Sequence, residues 1–242
     1  MNRPNFVLSA LSLLAVTVYL FVSAPPLLPE TPEEAPGSIS IEKVLATVAA
    51  ENDIVRSLYT AEIVTKGKEA GLKYDEKWRE EGVEAGPLPA LFLREAAGSL
   101  QKKAIPLGLF LGSDYPISPA NAFGGSQVEV FERIKASRSP EFFYASDTGQ
   151  YTAMFPDFAA VPGCVTCHND HAESPKTDWV LNDVMGATTW TYDKAAVGQA
   201  EYLRLIDAVR QSFRHAYSEY SAEGRHVGHR ARRAPALSIA FI

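Results

Sequence analysis

Both cysteines of the chain fall in one pentapeptide, Cys164-Val165-Thr166-Cys167-His168. Two thiols three positions apart, followed at once by an imidazole, form the attachment pattern of a c-type haem: the thiols add across the porphyrin vinyl groups and the ring nitrogen ligates the iron. The spacing has a geometric reason, because two thioether anchors on one edge of the macrocycle leave the next residue beneath the metal. Cys164 and Cys167 are therefore expected as covalent anchors and His168 as the proximal iron ligand of a single haem c. Three other chemistries use the same residues. A zinc ion could recruit Cys164, Cys167, His168 and His171, although neighbouring Cys167 and His168 suit one tetrahedral ion poorly and no second CxxC or HxxxH accompanies them. A thiol–disulfide pair needs no trailing histidine. A structural disulfide is the plainest alternative.

Composition narrows the context. The chain has 242 residues, 46% of them hydrophobic and 21% charged, which is the make-up of a globular protein. Lys+Arg number 23 against 29 Asp+Glu, for a net charge of −6. Arg225, Arg230, Arg232 and Arg233 crowd the last residues, so the remainder is more acidic still. Such a body repels phosphate backbones, and no nucleic-acid partner is expected. Two cysteines cannot make a disulfide framework. No P-loop, GxGxxG, GxSxG or HExxH occurs, and no catalytic constellation is expected beyond the haem.

The motif must sit where haem c is attached, outside the bacterial inner membrane, and the N-terminus agrees. Residues 6–24 carry no charge and follow Arg3, a length suited to a single membrane-spanning helix. Val22-Ser23-Ala24 resembles a cleavage site, but Pro25 and Pro26 follow it directly. An uncleaved signal anchor is expected, with a cleaved secretory peptide as the alternative. Arg3 before the span and Glu30, Glu33 and Glu34 after it place the bulk of the chain on the periplasmic side.

Five segments follow from the sequence: an anchor over residues 1–24, a Pro- and Glu-rich linker over 25–40, a haem c domain over 41–192, a C-terminal helix over 193–224, and a basic tail over 225–242. Within the domain, apolar residues at 3–4 spacing from Ile41 predict a long helix ending near Gly71, with Asn52 interrupting its stripe. Residues 89–100 and 125–136 read as helices, and 107–111 as a buried strand or helix end. Asp147-Thr148-Gly149 predicts a hairpin between strands at 142–146 and 150–155. Residues 188–192 read as the last strand and 195–220 as an amphipathic helix. Helices around a few short, mostly antiparallel strands define an α+β fold.

Several stretches carry a family resemblance: Gly112-Ser113-Asp114-Tyr115-Pro116, Asn121-Ala122-Phe123, and above all residues 164–179, from Cys164 through Asn169-Asp170-His171 and Ser174-Pro175-Lys176 to Asp178-Trp179. The chain resembles a family of bacterial exported haem c domains with a PAS-like fold, long catalogued as a domain of unknown function. The likeness covers roughly residues 41–192. It implies the anchor and ligand roles given above, and a loop held around the haem edge by Asn169, Ser174, Lys176 and Asp178, for which a well-capped polar loop is an equally good account. Better-described relatives resemble a His/Cys-ligated haem whose second cysteine comes from the N-terminal helix. This chain has no third cysteine, so the sixth iron position is filled otherwise or open. Tyr59 is the nearest analogue by location, and Met154, Met185, His171 and His215 are the other side chains with suitable donors.

A membrane-anchored exported monohaem cytochrome is therefore expected. A filled sixth position suits electron transfer or redox sensing with a redox partner protein. An open one suits sensing of NO, CO or O₂, with the signal passed to a separate partner because the sequence carries no recognisable output module.

Overall fold

The computed structural model describes residues 37–224. The expected anchor, most of the linker, and the basic tail lie outside the described residues. Among the described residues, no helix is long and apolar enough to cross a membrane.

The described chain opens with a short strand, β1 (Ser38–Ser40), in the stretch read as linker. Helix α1 (Ile41–Leu58) follows and buries Ile41, Val44, Leu45, Val48, Ala49 and Asn52. That alternating 3-and-1 spacing is the helical stripe seen in the sequence. The helix continues through a π-helical segment (Tyr59–Thr65) into α2 (Lys66–Glu69). Gly71 then takes φ +87, a left-handed conformation that glycine adopts without strain, and the helical run stops there as expected. Tyr74–Asp75 (β2) and Gly86–Pro87 (β3) pair in parallel. Helix α3 (Pro89–Gln101) starts on a proline, whose missing N–H would have no partner in the first turn anyway.

The central sheet contains β4 (Gly108–Gly112), β5 (Glu141–Ala145), β6 (Gln150–Phe158) and β7 (Val184–Tyr192). Its order is β4-β7-β6-β5, antiparallel throughout. Helix α4 (Ser126–Ser137) lies between β4 and β5 in the chain, and helix α5 (Pro162–Asp170) between β6 and β7. Strand β8 (Ala196–Gly198) and the long α6 (Gln199–Gly224) complete the described fold. The architecture is mixed α and β with small sheets.

Two hydrophobic clusters occupy the two sheet faces. The larger joins α1, α3 and α6 to the sheet through residues such as Leu45, Leu93, Leu205, Ala153 and Trp190. The smaller joins α4 to the sheet through Phe131, Ile134, Met154 and Ala187. Neighbours Ala153 and Met154 fall in different clusters because successive strand side chains point to opposite faces. Arg210 on α6 grips Glu51 on α1 with two hydrogen bonds of 3.1 and 2.6 Å.

Of the boundaries that differ from the sequence expectations by three residues or more, three have a tertiary reason. Strand β6 runs through Pro156 to Phe158 instead of stopping at Phe155, because β7 pairs with it to Phe158 while β5 pairs with it only as far as Met154. Beyond that point the missing proline N–H removes no bond on the β5 side. Strand β7 begins at Val184, four residues before the expected start, and Gly186 lets it approach β4: a Cβ there would stand 2.3 Å from the Gly112 carbonyl oxygen. Helix α6 begins at Gln199, not Ala195, because Ala196–Gly198 pairs with Ser38–Ser40.

Candidate functional site

The pentapeptide lies on α5. Pro162 occupies its first turn and Val161 before it is extended. At the other end the His171 N–H reaches the Cys167 carbonyl at 3.1 Å, and the chain then turns away. With about 3.6 residues per turn, positions i, i+3 and i+4 share a face, so Cys164, Cys167 and His168 are brought together on one side of α5. Both cysteines are free thiols. No residue of α5 is buried. A nine-residue helix that gives nothing to the core is held by its ends and by neighbouring loops.

Asn169 supplies one of those holds. Its Nδ2 donates to the Trp179 carbonyl at 3.0 Å, and its Oδ1 accepts the Trp179 N–H at 2.9 Å. Trp179 is only 5% exposed. The Lys176 ammonium lies 4.7 Å from the centre of its ring, and Tyr115 meets it edge-on. The Ser174 hydroxyl donates to the Lys176 carbonyl at 2.7 Å, and Lys176 pairs with Asp178. These contacts of Asn169, Ser174, Lys176 and Asp178 order the loop between α5 and β7.

Charged groups surround the motif from other elements. Glu76 stands 3.3 Å from His171 Nε2. Partial burial, which strips water from the half-exposed ring, pushes the His168 pKa down, helped by His171 and opposed by Glu76, so the imidazole favours its neutral form. Burial also raises the Cys167 thiol pKa, with Glu76 adding and Lys68 opposing. Near Cys164, Arg56 of α1 donates to Asp157 of β6 at 2.5 Å, and Thr188 bonds both oxygens of the same carboxylate at 3.1 and 3.0 Å. Asp157 is the main cause of the raised Arg56 pKa, and Cys164 adds to it. One turn before Arg56, Asn52 is 3% exposed and its Oδ1 has no hydrogen-bond partner among the described residues.

The side chains considered for the sixth iron position are dispersed. Tyr59 is 3% exposed in the larger cluster, stacked on Phe92 at 4.2 Å, and its hydroxyl donates to the Pro87 carbonyl at 2.8 Å. Burial, then the neighbouring Tyr220, raises its pKa far above the phenol range. Tyr59 is a core residue. Met154 is wholly buried in the smaller cluster. Met185 lines a cavity beside Trp179. His171 faces Glu76, and His215 is exposed on α6. Among the described residues, no group of three or more His, Cys, Asp and Glu side chains could by itself hold a metal ion.

Nothing in the sequence marks Arg56, Asp157, Glu76 or Lys68 as neighbours of the motif. Arg56 and Asp157 lie 101 positions apart, and nothing local to either marks the pairing.

The site thus belongs to a mixed α/β domain that displays a CxxCH helix on its surface. The chain belongs to the Tll0287-like family: the family profile, described as Tll0287, matches residues 38–192. That span agrees with the extent of the resemblance read from the sequence. No curated protein and no solved structure matches the chain significantly.

Proposed function

We propose that this protein is a membrane-anchored, exported monohaem c-type cytochrome with a PAS-like domain, working with a redox partner protein in electron transfer or redox sensing. The observation that carries the reading is the shared face of Cys164, Cys167 and His168 on α5, with both thiols free. Two features add support. No residue of helix α5 is fully buried, and Cys164 and His168 on the motif face are half-buried, with Cys167 exposed beside them. The neutral imidazole favoured at His168 is the form that ligates a metal.

A haem attached there supplies one-electron chemistry through an iron with one fixed imidazole. The protein's own residues supply the rest. Cys164 and Cys167 anchor, His168 ligates, and Asn169 fixes the helix to the Trp179 loop. Glu76, Lys68 and the Arg56–Asp157 pair set the charge around the motif. The PAS-like reading is supported by the four-stranded antiparallel sheet with helices on it. The periplasmic, single-pass inner-membrane placement is supported by the uncharged run at residues 6–24 after Arg3.

One observation favours a second reading, a sensor of NO, CO or O₂ that signals through a separate partner. The Tyr59 hydroxyl, Met154 and His171 Nε2 are each committed elsewhere, which removes three of the five donors considered for the sixth position.

The test is the mass and spectrum of the protein expressed with haem-maturation machinery. A mass equal to chain plus one haem, surviving acid–acetone extraction, is expected, and a bare chain overturns the proposal. Cys164→Ser or Cys167→Ser should leave a single covalent link, and His168→Ala should change the iron spectrum. Carbon monoxide added to the reduced protein separates the two readings: an unshifted Soret band marks a closed redox centre, and a prompt shift marks an accessible sixth site.

A further inference from the structure

A cavity of about 290 Å³ lies between the end of α4, the loop after β4 and the segment leading into β7. Phe131, Trp179 and Val184 give it apolar wall, and Lys135, Arg138 and Lys176 give it positive charge. None of Cys164, Cys167 and His168 lines it, so it is distinct from the motif face. We propose that this cavity binds a small organic carboxylate, with Arg138 as its recognition residue and the exposed Tyr115 ring and the edge of Trp179 against its apolar body. The proposal stands apart from the haem reading.

The cations are not equivalent. Lys135 is already held by Asp114 at 2.5 Å and Glu132 at 2.7 Å. Lys176 pairs with Asp178. Arg138 has no carboxylate partner among the described residues: its Nη2 donates to the Asn182 carbonyl at 2.8 Å, and its guanidinium lies 4.7 Å from the centre of the Phe158 ring. A guanidinium presents five donors in a planar fork matched to a carboxylate. One donor here goes to a carbonyl, which leaves capacity for a two-pronged anion. Of the lining carboxylates, Asp114 is spent on Lys135, and Asp183 accepts the Val180 N–H.

Backbone conformation is the second, independent observation. Arg138 (φ +58) and Asn182 (φ +70) are the non-glycine residues with positive φ among those described, and one hydrogen bond joins them. Arg138 ends α4 in the position where glycine is the unstrained choice. An arginine there gives up backbone comfort, and its cationic side chain is one of those that line the cavity. The volume is at the small end of the range for ligand pockets, about 300–1,000 Å³, which suits a small molecule and not a nucleotide or peptide.

The test uses the full-length protein with benzoate, benzyl alcohol and inorganic phosphate as probes. Binding is read by calorimetry and by the indole N–H resonance of Trp179, with Trp78 as internal reference. Saturable benzoate binding that moves the Trp179 signal is expected, with benzyl alcohol and phosphate at least tenfold weaker. Arg138→Gln and Arg138→Gly should each weaken benzoate tenfold or more. The glycine variant is the folding control, because glycine adopts this φ more readily than arginine. Absence of saturable benzoate binding, binding undiminished in both variants, or phosphate binding as tightly as benzoate would overturn the proposal.

Discussion

Asn169 holds Trp179 by both ends of its carboxamide, one bond given to the carbonyl and one taken from the N–H. This exchange is the polar tie between the motif helix and the loop that returns the chain to β7. Because α5 buries nothing, few apolar contacts back it up.

Asn169→Ala should therefore cost about 2 kcal/mol, since it strands two part-buried backbone groups of Trp179. Asn169→Asp keeps an acceptor for the Trp179 N–H and loses only the donated bond, so its cost should fall between those of the parent and the alanine variant. Urea denaturation of the three proteins, followed by tryptophan fluorescence, ranks them. Equal midpoints would show that the tie contributes no stability.

Asp147, in the β5–β6 turn, accepts the Ser126 N–H at 3.0 Å and the Ser126 hydroxyl at 2.8 Å, and so caps α4 from a distant part of the chain. Those bonds hold its pKa below the ordinary 3.8. A carboxyl depressed by folding contributes stability that is whole above its unfolded pKa and is lost as pH falls through its lower folded value. Melting curves from pH 6 to pH 2 should show this acid loss in the parent, and a smaller one in Asp147→Asn.

Gly186 meets the Gly112 carbonyl across the β4–β7 pair, with no space for a side chain. Gly186→Ala should push the two strands apart at a cost of about 1–3 kcal/mol. Gly163→Ala is the control, because a Cβ at Gly163 would meet nothing within 4 Å. Thermal melts of both variants decide the point; similar losses would mean that β4 yields easily.

Tyr59 is bonded to Pro87, not turned toward α5 by any contact seen here. Tyr59→Phe keeps the ring on Phe92 and removes only the hydroxyl, so stability should fall by about 1 kcal/mol, and under the proposed haem attachment the iron spectrum should stay as in the parent. A changed spectrum would return Tyr59 to the sixth position.

What the sequence disclosed follows from how local each signal is. The α1 stripe, the stop of the whole helical run just before Gly71 and the Asp147-Thr148-Gly149 turn are written within a few residues, and the structure reproduces them. The spacing of Cys164, Cys167 and His168 is equally local, and a helix turns it into a common face. The surroundings of that face were not legible, because Arg56–Asp157 and Glu76–His171 join residues 101 and 95 positions apart. The late start of α6 was hidden for the same reason: the pattern of residues 195–198 reads as helix until Ser38–Ser40 claims them for a strand.

That small pairing has a mechanical consequence. Ser38 lies opposite Gly198, so the chain is clipped shut across the two ends of the segment that contains the whole four-stranded sheet and α5. Tension applied between the residues before Ser38 and those after Gly198 would fall on this three-residue clasp and on the packing of α6 against α1 and α3. The motif helix, inside the closed loop, would be shielded from the pull until the clasp gave way.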